Sequence, residues 1–231
     1  MADIALLGVI VVVAFMVSEE GAWGAATTLV ATLLAAILAT SYFESLAISL
    51  QGVLTGSDWR MRVDLMAFLG LFGLLVFLFR FAGEKLQETD LQVEAKAYDA
   101  VRWGCGLGTG YVVACVMAVA LHLAPAPRTY FDFVPEQPRL FGIASPDYNW
   151  LGYMHRLSRG PYATSSGGQP VVFDGDYYRV SRSQPPQHYP DLPLRYAHRR
   201  ELYASGVAPA QRSGAPAGIP QPGQRMGGKA F

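Results

Sequence analysis

The side chains able to do chemistry are few, so the first question is whether any of them stand together. Cys105 and Cys115 lie ten residues apart in an apolar run. Two cysteines are too few for a disulfide framework, and in an apolar run both are expected to be buried as small hydrophobes. His155, His188 and His198 are scattered through a region without cysteine, a spacing that does not suit zinc. Asp174-Gly175-Asp176 has the start of a calcium loop but neither its remaining ligands nor its closing glutamate, and reads as a turn. No serine stands in a nucleophile elbow with a matching histidine. The glycines at 104, 106, 108 and 110 do not make a dinucleotide loop, which would need a third glycine where Thr109 stands and a strand before it. His122 closes an apolar run, where an interfacial histidine is expected rather than a proton shuttle. The chain is therefore read as non-enzymatic, with no cofactor, no metal and no small-molecule substrate.

These residues sit in a chain of two unlike parts. Residues 1–125 carry 6 Lys/Arg against 11 Asp/Glu, and residues 126–231 carry 12 against 7, so a net charge of zero is a cancellation. All 15 prolines lie from Pro125 onward. Charged residues make up 16% of the chain, too few for a dense basic face that would bind nucleic acid. Hydrophobic residues make up 52%, too many for a fully disordered protein.

The first part holds four apolar segments free of Asp, Glu, Lys and Arg: Ile4–Val17, Ala22–Thr40, Leu65–Phe79 and Trp103–Leu121. A spanning helix needs ~20 mostly apolar residues. The second and fourth meet that length, while the first and third need Asp3, Asp64 and Arg80 at headgroup level to complete them. Met1-Ala2-Asp3 lacks the basic start of a signal peptide. Leu65–Phe79 is apolar on every side, unlike a helix on a soluble surface. The expected architecture is all-α and transmembrane: a four-helix membrane bundle over residues 1–125, with spans about 4–20, 22–41, 63–82 and 103–123.

Small residues should bring these helices together, because water does not drive association inside lipid. Gly104/Gly108 and Gly106/Gly110 form two overlapping pairs, and Ala31, Ala35 and Ala39 line one side of the second segment. The second and fourth segments are expected to pack through these faces. Ser18-Glu19-Glu20-Gly21 reads as a tight hairpin, helix two is expected to continue amphipathically past Thr40, and Gly83–Ala100 reads as a short surface helix.

The second part is a partly ordered, Pro/Gly/Tyr-rich C-terminal tail. Ser145-Pro146 and Gly160-Pro161 punctuate a helix with Ser145 as its cap. Its apolar residues Trp150, Leu151, Met154 and Leu157, with His155, Arg156 and Arg159 on the opposite side, could lie on anionic lipid or dock on the bundle. Val171–Val180 is expected to form a hairpin around Asp174-Gly175, and Asp191–Ala204 a basic helix with Arg195, His198, Arg199 and Arg200. Residues 126–204 form the polar tail, and 205–231 are expected to be disordered.

With four close-set helices, a tight first hairpin and Tyr98-Asp-Ala-Val-Arg-Trp-Gly104-Cys-Gly-Leu-Gly108, the chain resembles the colicin V production (CvpA) family. Ser145–Leu151, Phe173-Asp-Gly and Arg195–Arg200 resemble the extended tails of some bacterial members. The chain departs from the family at Glu19-Glu20, where a basic residue is usual, at Tyr111, where an arginine is usual, and in separating Asp99 from Arg102. The resemblance implies a multi-pass bacterial inner-membrane protein linked to colicin V production or export and to envelope homeostasis. It also implies an extracytoplasmic tail. Partners expected are the lipid bilayer and either further copies of the chain or other envelope proteins. A small transporter or channel, using Thr27, Thr28, Thr32, Thr40 and Thr109, and a membrane anchor whose tail binds lipid, cell wall or a partner protein are the alternatives.

Overall fold

The computed structural model describes residues 2–53, 57–86, 95–124 and 145–162, four short strands and the single residues Phe173, Leu192 and Tyr196. Helices α1 (Ala2–Ser18), α2 (Gly21–Val53), α3 (Ser57–Leu86) and α4 (Ala95–Leu123) follow one another. Helix α5 (Pro146–Arg159) opens the described part of the tail. Residues Gly21–Gly52, Arg62–Lys85 and Ala97–Leu123 form three helices long and apolar enough to cross a membrane, which marks a membrane-embedded protein. Helix α1 is apolar but shorter.

The main contacts run α1 to α4, α4 to α2 and α2 to α3, with α5 on α4. Helix α2 is one uninterrupted element: past Thr40 its Phe43 and Ala47 stay buried, Phe43 edge-on to Phe68 of α3 with ring centroids 5.4 Å apart. Of the surface helix expected over Gly83–Ala100, the two ends belong to α3 and α4, and residues 87–94 lie outside the described residues. The outer sides of α1 and α3 leave Val11, Phe15, Leu74 and Phe77 exposed, an apolar surface suited to lipid.

Gly21 turns the first hairpin with φ of +82°, a left-handed conformation that glycine adopts without strain. The Glu19 N–H donates to the Phe15 carbonyl and the Glu20 N–H to that of Val17, so the end of α1 is closed within four residues. Glu20 then ties the hairpin to its neighbours: its carboxylate accepts from the Thr28 hydroxyl at 2.9 Å and pairs with Arg80 of α3 at 2.6 Å.

The glycine row of α4 serves two helices. A β-carbon at Gly106 would stand 2.7 Å from the Ala14 carbonyl oxygen, and one at Gly110 would stand 2.5 Å from that of Ile10. Both contacts are with the backbone of α1, so Gly106/Gly110 set the α1–α4 approach rather than the α2–α4 packing expected from sequence. Gly108 does face α2, where a β-carbon would lie 3.2 Å from Leu29 Cδ1. Gly104 faces open space. Ala31, Ala35 and Ala39 are buried, and Ala39 belongs to the cluster that joins α2 to α4.

In the tail, β1 (Thr164–Ser166) pairs antiparallel with β2 (Gln169–Val171), Thr164 opposite Val171. β3 (Tyr178–Arg179) pairs with β4 (His188–Tyr189). The hairpin expected to fold around Asp174-Gly175 is thus replaced: Val171 pairs backward and Tyr178 forward. The basic helix expected over 191–204 lies outside the described residues except for Leu192 and Tyr196, both buried in the main core cluster. Residues 205–231 also lie outside them.

Replacing Gly106 or Gly110 by alanine should force α1 off α4 and cost about 1–3 kcal/mol. Gly104→Ala should stay within ~0.5 kcal/mol of the parent, as exposed substitutions do. Unfolding of the purified protein in mixed detergent, followed by circular dichroism, measures both.

Candidate functional site

The polar side chains that sequence reading treats as isolated converge where α5 meets α4 and α2. Helix α4 turns Tyr111, Cys115 and His122 toward this junction; these positions, four and seven residues apart, fall on one side of a helix. Helix α5 begins at Pro146, which suits the first helical turn, but its cap differs from expectation. Ser145 occupies the N-cap position without a side-chain cap bond, and its carbonyl accepts from the Asn149 N–H at 2.8 Å. At the other end the Gly160 N–H donates to the Arg156 and Leu157 carbonyls and closes the helix.

Three side-chain hydrogen bonds join α5 to the membrane helices. Trp150 Nε1 donates to Thr40 Oγ1 at 3.0 Å, and Thr40 donates in turn to the Ala36 carbonyl at 2.7 Å. Asn149 Nδ2 donates to the Tyr111 hydroxyl at 3.0 Å. His122 Nε2 lies 2.8 Å from Asp147 Oδ2, and both side chains are almost fully withdrawn from solvent. A buried carboxylate is costly unless paired, so this contact explains how Asp147 can occupy the inner face of α5.

Around these bonds lies an apolar seal. Trp150, Leu151 and Met154 are buried in one cluster with Ala36, Ala39 and Phe43 of α2, Phe68 of α3, and Val116 and Val119 of α4. Sequence left open whether these three residues meet lipid or protein; the structure covers them with protein. Arg156 and Arg159 remain exposed on the other side. The far end of α5 grips a later segment through Phe173: its N–H donates to Ser158 Oγ at 2.9 Å, and its carbonyl accepts from His155 Nδ1 at 3.3 Å. His155 is therefore a buried clamp rather than part of a basic outer face.

The threonines that could have lined a pore hold their hydroxyls within the protein. Thr27 bonds the Gly24 carbonyl, Thr28 the Glu20 carboxylate, Thr40 the Ala36 carbonyl and Thr109 the Cys105 carbonyl. Thr32 is buried. Among the described residues no three His, Cys, Asp or Glu side chains gather as a metal site. What the junction can do is hold the tail in one place, with three differently shaped polar contacts fixing its register.

Sequence reasoning missed this junction because Asp147 and His122 stand 25 residues apart, in segments assigned to separate parts of the chain. One signal was present: Asp147 precedes Trp150, Leu151 and Met154 at helical spacing, and so falls on the apolar side. No protein-family profile, curated protein or solved structure matches the chain.

Trp150→Phe keeps most of the buried ring and removes only the donor. It should loosen α5 by about 0.5–1.5 kcal/mol. Asp147→Ala, which strips His122 of a buried partner, should loosen it by about 3–5 kcal/mol. Amide hydrogen exchange over residues 147–158 reads both, and equal protection in the two variants would contradict the ranking.

Proposed function

We propose that the protein is a multi-pass inner-membrane protein in which all four of α1–α4 insert and the tail rides as a docked platform on one face. Its work is non-catalytic: support of envelope homeostasis and of colicin V-type toxin production or export, as the family resemblance implies. The observation that carries the membrane part is the spacing of two belts of interfacial side chains. On α2, exposed Trp23 and Tyr42 are 19 residues apart, or about 28 Å along a helix. On α4, exposed Trp103 lies 20 residues before Leu123, the last residue of the helix, about 30 Å. On α3, Arg62 and Arg80 are 18 apart, about 27 Å. These lengths agree with one another and with a hydrocarbon core of ~30 Å bounded by aromatic and basic side chains.

The belts also rationalise α1. From Asp3 to Ser18 it covers about 22 Å. A span this short is tolerated when flanking residues reach the headgroups and the helix packs on a longer neighbour, as α1 does on α4. Basic residues near the spans divide evenly: Arg60, Arg62, Arg128 and Arg139 on the tail's side, Arg80, Lys85, Lys96 and Arg102 on the other. They do not orient the protein; the resemblance favours a tail outside the cytoplasm.

The sealed contact between α5 and the helices also favours a second reading, a membrane anchor whose tail presents a surface to the cell wall or to a partner protein. The hydroxyl bonds of the threonines speak against a transporter or channel.

Reporter fusions at residues 20, 57, 90 and 140 test the arrangement. Positions 57 and 140 should report one side of the membrane, and 20 and 90 the other. A fusion at 20 reporting the same side as 57 would remove a span and overturn the four-helix insertion. For the physiological role, deletion should impair toxin export or envelope integrity, with rescue by the wild-type chain and weaker rescue by Asp147→Ala.

A further inference from the structure

We propose that the outer face of α5 binds anionic phospholipid headgroups in the leaflet on the tail's side. The inference rests on the membrane-insertion reading above and adds a lipid class and a binding surface to it. The depth of α5 comes first. Its contact with His122, one residue before the end of α4, and that with Thr40, two residues before Tyr42 on α2, place the start of α5 at the tail-side end of the helices. A helix lying beside the end of a membrane-spanning helix meets lipid with whatever face it does not dock.

That free face has a defined chemistry. Tyr148 and Tyr153 on it, and Tyr162 just past its end, are 50%, 37% and 58% exposed, and Arg156 and Arg159 are exposed on the same face. Its one acid, Asp147, is turned inward and held by His122, so the outer face carries two arginines and no carboxylate. Tyrosine has an apolar ring and a polar tip and is enriched at headgroup depth. Arginine presents a planar fork of donors that fits a phosphate. The opposite end of the helices differs. There Arg80 is paired with Glu20 and Glu84, and Arg102 with Asp99, so both arginines already have carboxylates beside them.

The full-length protein is reconstituted in nanodiscs of phosphatidylcholine alone and of phosphatidylcholine with phosphatidylglycerol in equal parts. Native mass spectrometry then counts the lipids it retains. The wild type should retain phosphatidylglycerol over phosphatidylcholine, and Arg156→Gln and Arg159→Gln should each lower that preference about fivefold, the change that ~1 kcal/mol per arginine corresponds to. Arg→Lys at either site should keep most of the preference, because the charge remains. Both arginines are exposed, so hydrogen exchange of α5 should match the wild type and confirm that docking is intact. An inserted protein whose Gln variants retain phosphatidylglycerol as the wild type does overturns the lipid site alone. A protein that does not insert, judged by alkaline extraction of its native membrane, overturns the membrane reading and the lipid site with it.

Discussion

The backbone of α1 comes so near that of α4 at Gly106 and Gly110 that no side chain fits between them. Apolar helices in an apolar surrounding gain little by hiding from solvent. They stay together through van der Waals contact at close range and through hydrogen bonds. Helix α4 supplies both. One row of glycines admits α1, Gly108 admits Leu29 of α2, and a polar row of Tyr111, Cys115 and His122 turns to the tail. It therefore touches α1, α2 and α5, and the short α1 has little else to lean on.

The same scarcity of hydrogen-bond partners explains where the polar groups are. Each carbonyl, hydroxyl or carboxylate inside the helices costs several kcal/mol if left bare in hydrocarbon. At one end Glu20 collects Thr28 and Arg80, which fastens the first hairpin to α3. At the other end Thr40 and His122 are satisfied by Trp150 and Asp147 of α5. The tail helix thus completes the polar needs of the membrane helices while burying its own apolar face, and the two parts of the chain form one packed unit at that end.

Once α5 spends its apolar face on protein, its tyrosines and arginines are what remains for the surroundings. A helix that reads in isolation as a peripheral amphipathic anchor is inverted in use: Trp150, Leu151 and Met154 grip protein, and the polar side is left for headgroups. This division depends on Asp147 being on the inner side, which leaves no exposed acid on the helix.

By itself the sequence determined several elements in both parts of the chain. Long stretches without charge dictate helices in an apolar setting, Gly21 after Glu19-Glu20 dictates a tight hairpin, and Pro146 with Gly160-Pro161 bounds α5; all three act over a few residues and need no partner. The elements' partners were a tertiary matter. Two glycine pairs four apart look alike along a chain, yet Gly110 meets the Ile10 backbone while Gly104 meets nothing, because only the packing decides which side of α4 faces α1. The fate of Val171, paired with Thr164 instead of across Asp174-Gly175, likewise turned on a competing hairpin upstream. His122 and Asp147 carried no local sign of each other, since a contact across 25 residues exists only after α4 and α5 have been brought side by side.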